Sequence, residues 1–196
     1  DKEQVGNIVS KAIPIMIYLA LPVTLLCVVM PGEIIQFLSN ADFVAGANTL
    51  RVLAFVLPLI YCDILLGAVL IANDERKYMI RVAVAILLFN FLANIYMINR
   101  FSYMGAAITT LVSEIVLLAI NYFYVKRVIC SRLDFGRVGK IALIALGAFV
   151  VGMGVRQLFP GLWPGSVAVI GVYVGLSWAT NVVNLGQIKT LLRTEN

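Results

Sequence analysis

Four polar side chains lie inside long apolar stretches of this sequence. They are two carboxylic acids and two amides: Asp63, Asn90, Asn94 and Glu114. Such groups can bind a cation or the hydroxyls of a polar ligand. An ionisable side chain at the centre of a bilayer costs at least ~2.5–3.5 kcal/mol on insertion scales, a cost tolerated mainly where the group faces a partner or a water-filled cavity. We therefore predict that these residues line a hydrated interior and act in substrate binding or ion coupling.

A purely structural role for the same residues remains open from the sequence. Asn90 and Asn94 are one helical turn apart and could serve only as hydrogen bonds between helices. Asp63 and Glu114 could be protonated acids that donate to backbone carbonyls.

Three arginines lie at the edges of the apolar stretches: Arg51, Arg81 and Arg100. Long basic side chains at such positions extend their charged ends to the headgroups. The alternative is an anion contact at the mouth of a cavity, since Arg is well suited to bidentate phosphate binding.

The elements that must position these residues are six apolar stretches. The chain has 196 residues, 62% hydrophobic and 13% charged, against roughly 25% charged in soluble domains. A bilayer core of about 30 Å requires roughly 20 apolar residues in a helix. We predict an all-α polytopic membrane protein with about six transmembrane helices: 8–30, 50–72, 79–99, 104–125, 141–159 and 163–183.

The basic residues predict the topology. If the N-terminus is cytoplasmic, 12 of the 15 Lys and Arg residues lie in cytoplasmic segments and three lie outside. This asymmetry predicts that both termini are cytoplasmic. Nucleic-acid binding is not expected despite the net charge of +5, because the basic residues lie between apolar runs rather than on one exposed face.

The connections suggest how the chain is organised. We expect a long cytoplasmic loop at 126–140, a hairpin turn formed by the two Pro-Gly pairs at 160–165, and interfacial helical turns at 33–49. The loop divides the chain into a four-helix part, 1–127, and a second part, 128–196, with a peripheral two-helix hairpin and a cytoplasmic tail. Prolines inside the predicted helices kink them, either statically or as gating points: Pro14, Pro22 and Pro58.

Known enzyme and metal motifs do not occur in the sequence. The chain has no histidine, and its three cysteines lack redox or metal-ligand spacing. Neither a P-loop nor a dinucleotide-binding fingerprint is found. We predict a protein that is not an enzyme, with no catalytic, metal or cofactor-binding residues and no cofactor.

Several short motifs, in order and spacing, resemble those of a known family. They span roughly residues 12–126: Leu21-Pro22, Ile34-Ile35-x-Phe37-Leu38, Phe43-x-x-x-Ala47-x-x-x-Leu50-Arg51-x-Leu53, Leu70-x-Ala72-Asn73-Asp74-Glu75-Arg76-Lys77 and Met104-Gly105-Ala106-Ala107. In this pattern the sequence resembles the polysaccharide flippases, the O-antigen and exopolysaccharide exporters of the multidrug/oligosaccharidyl-lipid/polysaccharide superfamily.

The resemblance implies a two-lobe bundle of twelve to fourteen helices, of which this chain would be the C-terminal portion, packed against an N-terminal lobe that it lacks. It further implies export of lipid-linked oligosaccharide on a polyprenyl pyrophosphate carrier, by alternating access, across the inner (plasma) membrane in lipopolysaccharide or exopolysaccharide synthesis. Three alternatives remain. They are a cation-coupled multidrug antiporter of the same superfamily, a membrane-embedded polysaccharide polymerase or glycosyltransferase, and a structural membrane subunit that transports nothing.

Overall fold

A computed structural model describes residues 2–129, 135–159 and 162–180 of the chain. All regular elements in these ranges are helical. In chain order they are α1 (Lys2–Val29), α2 (Pro31–Leu38), a 3-10 turn (Ala41–Gly46), α3 (Ala47–Ala54), α4 (Val56–Ala72), α5 (Arg76–Ile129), α6 (Phe135–Leu158) and α7 (Leu162–Ala179).

The long element α5 is a hairpin of two antiparallel helical halves. Ser102 leaves the helical conformation with φ 52° and ψ −138°, a left-handed region that non-glycine residues seldom adopt. Close behind the turn, a Cβ at Gly105 would collide with the carbonyl oxygen of Met97. Glycine therefore allows the two halves to pack with their backbones in contact. The predicted helices 79–99 and 104–125 are these two halves.

The predicted fold class is confirmed. Four helical stretches are long and apolar enough to cross a bilayer, one of them being the whole α5 hairpin, and a shorter apolar helix covers Trp163–Ala179. Trp163 and Trp178 lie near the two ends of α7 with highly exposed side chains, as in the aromatic belts of membrane proteins. The chain is an all-α polytopic membrane protein.

The second predicted helix, 50–72, is divided into α3 and α4 near Phe55. Pro58 has no N–H to donate to the carbonyl of Ala54 four residues earlier. The hydroxyl of Thr24 on α1 lies 3.2 Å from that carbonyl and 3.1 Å from the carbonyl of Ala20 on its own helix, so its one proton is shared between the two acceptors. The cross-helix bond satisfies a backbone group that would otherwise be unpaired in an apolar setting.

A second proline kink is held in the same way. Pro22 frees the carbonyl of Tyr18, and the hydroxyl of Tyr173 on α7 donates to it at 2.9 Å. The rings of Tyr18 and Tyr173 stack with centroids 5.2 Å apart. The kink in α1 is thereby joined to the last helix.

Helix α1 packs against two different groups of helices along its length. Its first half packs against α4 and the end of α5 through Val9, Ile13, Cys62, Leu66, Leu70, Val125 and Ile129. Its second half packs against α6 and α7 through Leu25, Val29, Met30, Ile144, Ala145, Ala148, Val169 and Tyr173. We call the second cluster, together with the buried Ser177 one turn after Tyr173 on α7, the seam.

Some connections differ from those expected. The predicted loop 126–140 is helical at both ends, because α5 continues to Ile129 and α6 begins at Phe135, and 130–134 lie outside the described residues. Lys and Arg are good helix formers, so a helix can continue past its apolar portion. The predicted boundary at 127/128 falls in the last turn of α5, and the division into two parts stays a prediction.

The predicted Pro-Gly hairpin is only partly within the described residues, since 160–161 lie outside them, as do 181–183 of the sixth predicted helix. Pro164 and Gly165 lie in the first turn of α7 rather than in a connecting turn, where a missing N–H costs no helical bond. A Cβ at Gly165 would approach the sulfur of Met30 to 2.7 Å, so glycine permits close contact between α7 and the end of α1.

The stretch 33–49 consists of short helical elements, α2, the 3-10 turn and the start of α3. Phe37, Leu38 and Phe43 are exposed there, as the prediction of interfacial turns requires.

Candidate functional site: a polar groove in the α5 hairpin

A groove of about 390 Å³ lies between the two halves of α5 and is reached by α4. We call it the polar groove. Its polar lining residues are Asp63, Asn90, Thr110, Ser113, Glu114 and Asn121, and its apolar lining residues are Met79, Val82, Ala83, Ile86, Leu87 and Leu117.

Helical spacing explains why these residues share one wall. Thr110, Glu114, Leu117 and Asn121 recur every three or four residues on the second half of α5, so their side chains lie along a single face. The first half contributes a mostly apolar face by the same spacing. Asp63 reaches the groove from α4.

A chain of hydrogen bonds joins the two halves of α5. The amide of Asn94 donates to Oδ1 of Asn90 at 2.8 Å, and the amide of Asn90 donates to Oγ of Ser113 at 2.9 Å. Ser113 in turn donates to the carbonyl of Thr109 at 2.8 Å. Asn90 therefore links the two halves directly, and Asn94 is bonded to Asn90 on the first half.

Asp63 is paired with a residue far away in the sequence. The amide nitrogen of Asn121 donates to Oδ1 of Asp63 at 2.7 Å. Asn121 is only 6% exposed, whereas Asp63 is half-buried. The bond ties α4 to the second half of α5 at the groove wall.

Glu114 differs from the other polar lining residues. It is half-buried, and its carboxyl group makes no hydrogen bond to any residue that the structure describes. Its acceptor oxygens remain available to a ligand in the groove.

An aromatic pair lies beyond the groove at its end nearest the α4–α5 turn. The rings of Tyr78 and Tyr124 stack with centroids 3.6 Å apart. The hydroxyl of Tyr124 donates to Oε2 of Glu75 at 2.9 Å, and the hydroxyl of Tyr78 donates to the carbonyl of Ile120 at 3.3 Å. Since Met79 and Asn121 line the groove one turn or less away, the pair borders this end of it.

The chain is similar to a known protein along almost its full length. A protein described as the probable low-salt glycan biosynthesis flippase Agl15, from Haloferax volcanii, is 22% identical over 187 residues, which cover 95% of this chain and 39% of that protein. The chain thus spans about two fifths of the length of this relative. No family model matches the chain, and no solved structure matches it.

The three predicted arginines are not among the residues that line the polar groove, although Arg81 directly precedes the lining residue Val82. Arg51 donates through Nε to the carbonyl of Val28 at 3.3 Å and through Nη1 to Asn48 at 2.9 Å. Arg81 donates to the carbonyl of Lys77 at 3.2 Å. The guanidinium of Arg100 lies 5.6 Å from the ring centroid of Tyr96, within cation–π distance. The contacts of Arg81 and Arg100 are local, whereas Arg51 also reaches α1 at Val28, and an anion-binding role stays a prediction.

The structure brings three of the four candidate groove residues together. Asp63, Asn90 and Glu114 line the groove, and Asn94 is bonded to Asn90 beside it. Asn121 was not among the predicted site residues. Its position two turns after Glu114, inside an apolar run, was the available signal. In the described part of the chain, no group of three or more His, Cys, Asp or Glu residues could hold a metal ion.

Proposed function

We propose that this chain belongs to a transporter that flips lipid-linked oligosaccharide across a membrane for polysaccharide biosynthesis. The observation that carries the proposal is the polar groove, placed halfway along apolar helices of a polytopic protein that is similar to a glycan biosynthesis flippase. Transporters place substrate and ion sites near the bilayer midplane, in cavities between helices.

The chemistry of the groove suits a ligand with many hydroxyl groups. Carboxylates accept hydrogen bonds, whereas amides and hydroxyls both donate and accept. The carboxylate of Glu114 and the hydroxyl of Thr110 lie one turn apart on the groove wall. Sugar hydroxyls could leave water and hydrogen-bond to these groups at a small cost in free energy. Alternating access requires such easy exchange, because the cavity opens to each side of the membrane in turn.

The carrier lipid poses a separate electrostatic problem. A polyprenyl pyrophosphate is anionic, and the polar groove is lined by Asp63 and Glu114 with no Lys or Arg. We propose that the pyrophosphate is bound elsewhere in the full-length transporter, by the N-terminal lobe or by the arginines at the membrane edges. In this proposal the chain is the C-terminal portion, the membrane is the inner membrane, and both termini are cytoplasmic.

A deletion of the full-length gene tests the function. Lipid-linked oligosaccharide should accumulate in the inner leaflet and surface polysaccharide should fall, because the carrier can no longer cross. Restoring the wild-type gene should restore export. Normal surface polysaccharide in the deletion strain would contradict the proposal.

A second function, cation-coupled drug export, is favoured by one observation. A groove lined by two acids, and by no Lys or Arg, would suit a cationic amphiphile better than an anionic carrier. The two functions differ in what the deletion changes. Drug export predicts greater sensitivity to lipophilic cations with unchanged surface polysaccharide, whereas the flippase predicts the reverse.

A further inference from the structure

A second groove lies between α6 and α7. It has a volume of about 460 Å³ and is lined by Lys140, Leu143, Ile144, Leu176 and Thr180, which places it in the size range of small-molecule sites, ~300–1,000 Å³. We call it the hairpin groove. None of its lining residues lines the polar groove, so the proposed function leaves it without a role.

The helical repeat explains how the hairpin groove is built. Lys140, Leu143 and Ile144 are three and four residues apart on α6, and Leu176 and Thr180 are four residues apart at the end of α7. Side chains at these spacings lie on one face of a helix. Each helix therefore contributes one wall, made of apolar side chains with a single polar residue at its end.

Two glycines bring α6 and α7 close together. A Cβ at Gly147 would approach the side chain of Leu176 to 3.2 Å, and a Cβ at Gly152 would collide with Val169. The order of these contacts shows that the helices are antiparallel, so the start of α6 lies beside the end of α7. Lys140 and Thr180 are consequently at the open end of the hairpin groove, and its leucine and isoleucine side chains lie nearer the middle of the helices.

Aromatic and basic residues place this end of the hairpin at a membrane surface. Trp178, two residues before Thr180, has a side chain that is 84% exposed, and exposed tryptophans mark the level of the headgroups. Lys140 ends the segment 126–140, which holds five Lys and Arg residues and is predicted to be cytoplasmic. The mouth of the hairpin groove therefore lies at headgroup level, and its apolar walls lie at the level of the acyl chains.

Lys140 supplies a positive charge at this mouth. Its side chain is exposed and makes no hydrogen bond or ion pair with any residue that the structure describes. Basic pockets between transmembrane helices on the cytoplasmic side bind anionic lipid headgroups. The charge of Lys140 and the apolar walls below it thus match the two parts of an anionic phospholipid, its phosphate and its acyl chain.

Thr180 adds a requirement for the rest of the headgroup. Its hydroxyl donates to the carbonyl of Leu176 at 2.7 Å, with the carbonyl of Ser177 at 3.4 Å. Since a hydroxyl has one proton, the oxygen of Thr180 is left to accept a hydrogen bond and cannot donate one to a phosphate. A headgroup hydroxyl can donate to it. An ethanolamine ammonium can also donate, but Lys140 would repel that positive charge.

We propose that the hairpin groove binds an anionic phospholipid with a hydroxylated headgroup, of the phosphatidylglycerol class. Lys140 pairs with the phosphate, Thr180 accepts a hydrogen bond from the glycerol hydroxyl, and an acyl chain covers Leu143 and Leu176. The bound lipid joins the start of α6 to the end of α7. The site is independent of the proposed function, because it involves no residue of the polar groove.

Native mass spectrometry of the full-length protein in detergent tests the site. The protein is titrated separately with three dioleoyl lipids: phosphatidylglycerol, phosphatidylmethanol, which has the same charge but no headgroup hydroxyl, and phosphatidylethanolamine, which has no net charge. Phosphatidylglycerol should bind most tightly and phosphatidylethanolamine most weakly. Equal affinity of the wild-type protein for all three lipids would overturn the proposal, even if no variant folded.

Three variants assign the preference to the hairpin groove. Lys140→Gln should weaken the binding of both anionic lipids about fivefold, which is the contribution of one basic residue near an anionic membrane surface. Thr180→Val keeps the shape of the side chain and should reduce the affinity for phosphatidylglycerol to that for phosphatidylmethanol. Lys126→Gln is the matched control and should bind as the wild type does, since Lys126 is an exposed residue of the same basic segment that does not line the groove.

Equal weakening by Lys126→Gln and Lys140→Gln would overturn the proposal, because the lipid would then be attracted by the basic surface as a whole. Wild-type affinity in Lys140→Gln would overturn it as well. If Thr180→Val retained the full preference for phosphatidylglycerol over phosphatidylmethanol, the proposed recognition of the headgroup hydroxyl would be wrong.

Discussion

The polar groove and the seam both contain polar groups among apolar helices, but they differ in whether those groups are hydrogen-bonded. In the seam, the hydroxyls of Tyr173 and Ser177 donate to backbone carbonyls at 2.9 and 2.6 Å. In the groove, Asn121 has a buried acceptor without a partner, and Glu114 makes no hydrogen bond within the described residues. Paired polar groups stabilise a fold, whereas unpaired ones are costly. The comparison indicates that polarity alone does not predict a functional wall. Several unsatisfied polar groups around one cavity are a better indication, since single buried acceptors without a partner also occur at Glu33 and Thr49.

The largest effect should come from removing the groove acids. Asp63→Asn and Glu114→Gln should each lower export by about tenfold or more, since hydrogen bonds to charged groups contribute ~1.5–3 kcal/mol. Surface polysaccharide in cells that depend on the variant gene measures the effect. Ser177→Ala in the seam is the matched control, and it should export normally. Normal export by both acid variants at wild-type protein levels would show that the groove is only structural.

Next should come the ion pair that borders the seam. Arg156 donates through Nε to Oε1 of Glu33 at 2.9 Å and through Nη1 to the carbonyl of Val29 at 2.9 Å. Arg156→Gln removes a positive charge from the last carbonyls of α1, where the helix dipole favours a cation. We expect a loss of ~1.5–3 kcal/mol in unfolding free energy.

Thermal unfolding of the purified protein measures this loss, and a double-mutant cycle with Glu33→Gln separates the ion pair from the carbonyl bond. Additive losses would show that the two side chains do not interact energetically. Export per folded molecule should stay unchanged, because neither residue lines the groove.

A slightly smaller effect should follow from crowding the α5 hairpin. In Gly105→Ala the new methyl group meets the Met97 carbonyl, and overpacking of this kind costs ~1–3 kcal/mol. Gly154→Ala on α6 is the control, since nothing lies within 4 Å of a Cβ there, and it should be neutral or stabilising. Equal melting temperatures for the two variants would mean that the halves of α5 pack less closely than described.

The apolar helices could be predicted from sequence because bilayer thickness sets their length, whatever they contact. The depth of Asp63, Asn90 and Glu114 follows from the same constraint. Their partners do not, because Asn121 lies 58 residues from Asp63 along the chain and only the packing of α4 on α5 joins them. From sequence alone, a functional amide inside an apolar run cannot be distinguished from one that only packs between helices.

The prolines illustrate the same limit on a smaller scale. Loss of a backbone bond is certain from Pro22 and Pro58, since each lacks an N–H. Which group replaces the lost donor depends on a different helix. Thr24 and Tyr173 carry no local signal of that task, because a hydroxyl in an apolar helix can equally donate to its own backbone.

The smallest effect should come from deleting one hydroxyl at the seam. Tyr173→Phe keeps the ring packed against Tyr18 but leaves the carbonyl freed by Pro22 without its donor. Hydrogen bonds between transmembrane helices average ~0.6 kcal/mol and reach ~1.7 kcal/mol, so the loss of stability should fall in that range. Thermal unfolding of Tyr173→Phe beside Tyr18→Phe measures it, because the Tyr18 carbonyl survives in the second variant. A loss in Tyr18→Phe as large as that in Tyr173→Phe would show that the carbonyl bond contributes little to joining α7 to α1, since both variants keep the stacked rings. If a stable Tyr173→Phe protein failed to transport, the contrast between the groove and the seam would be wrong. A fully paired polar group would then be required for function.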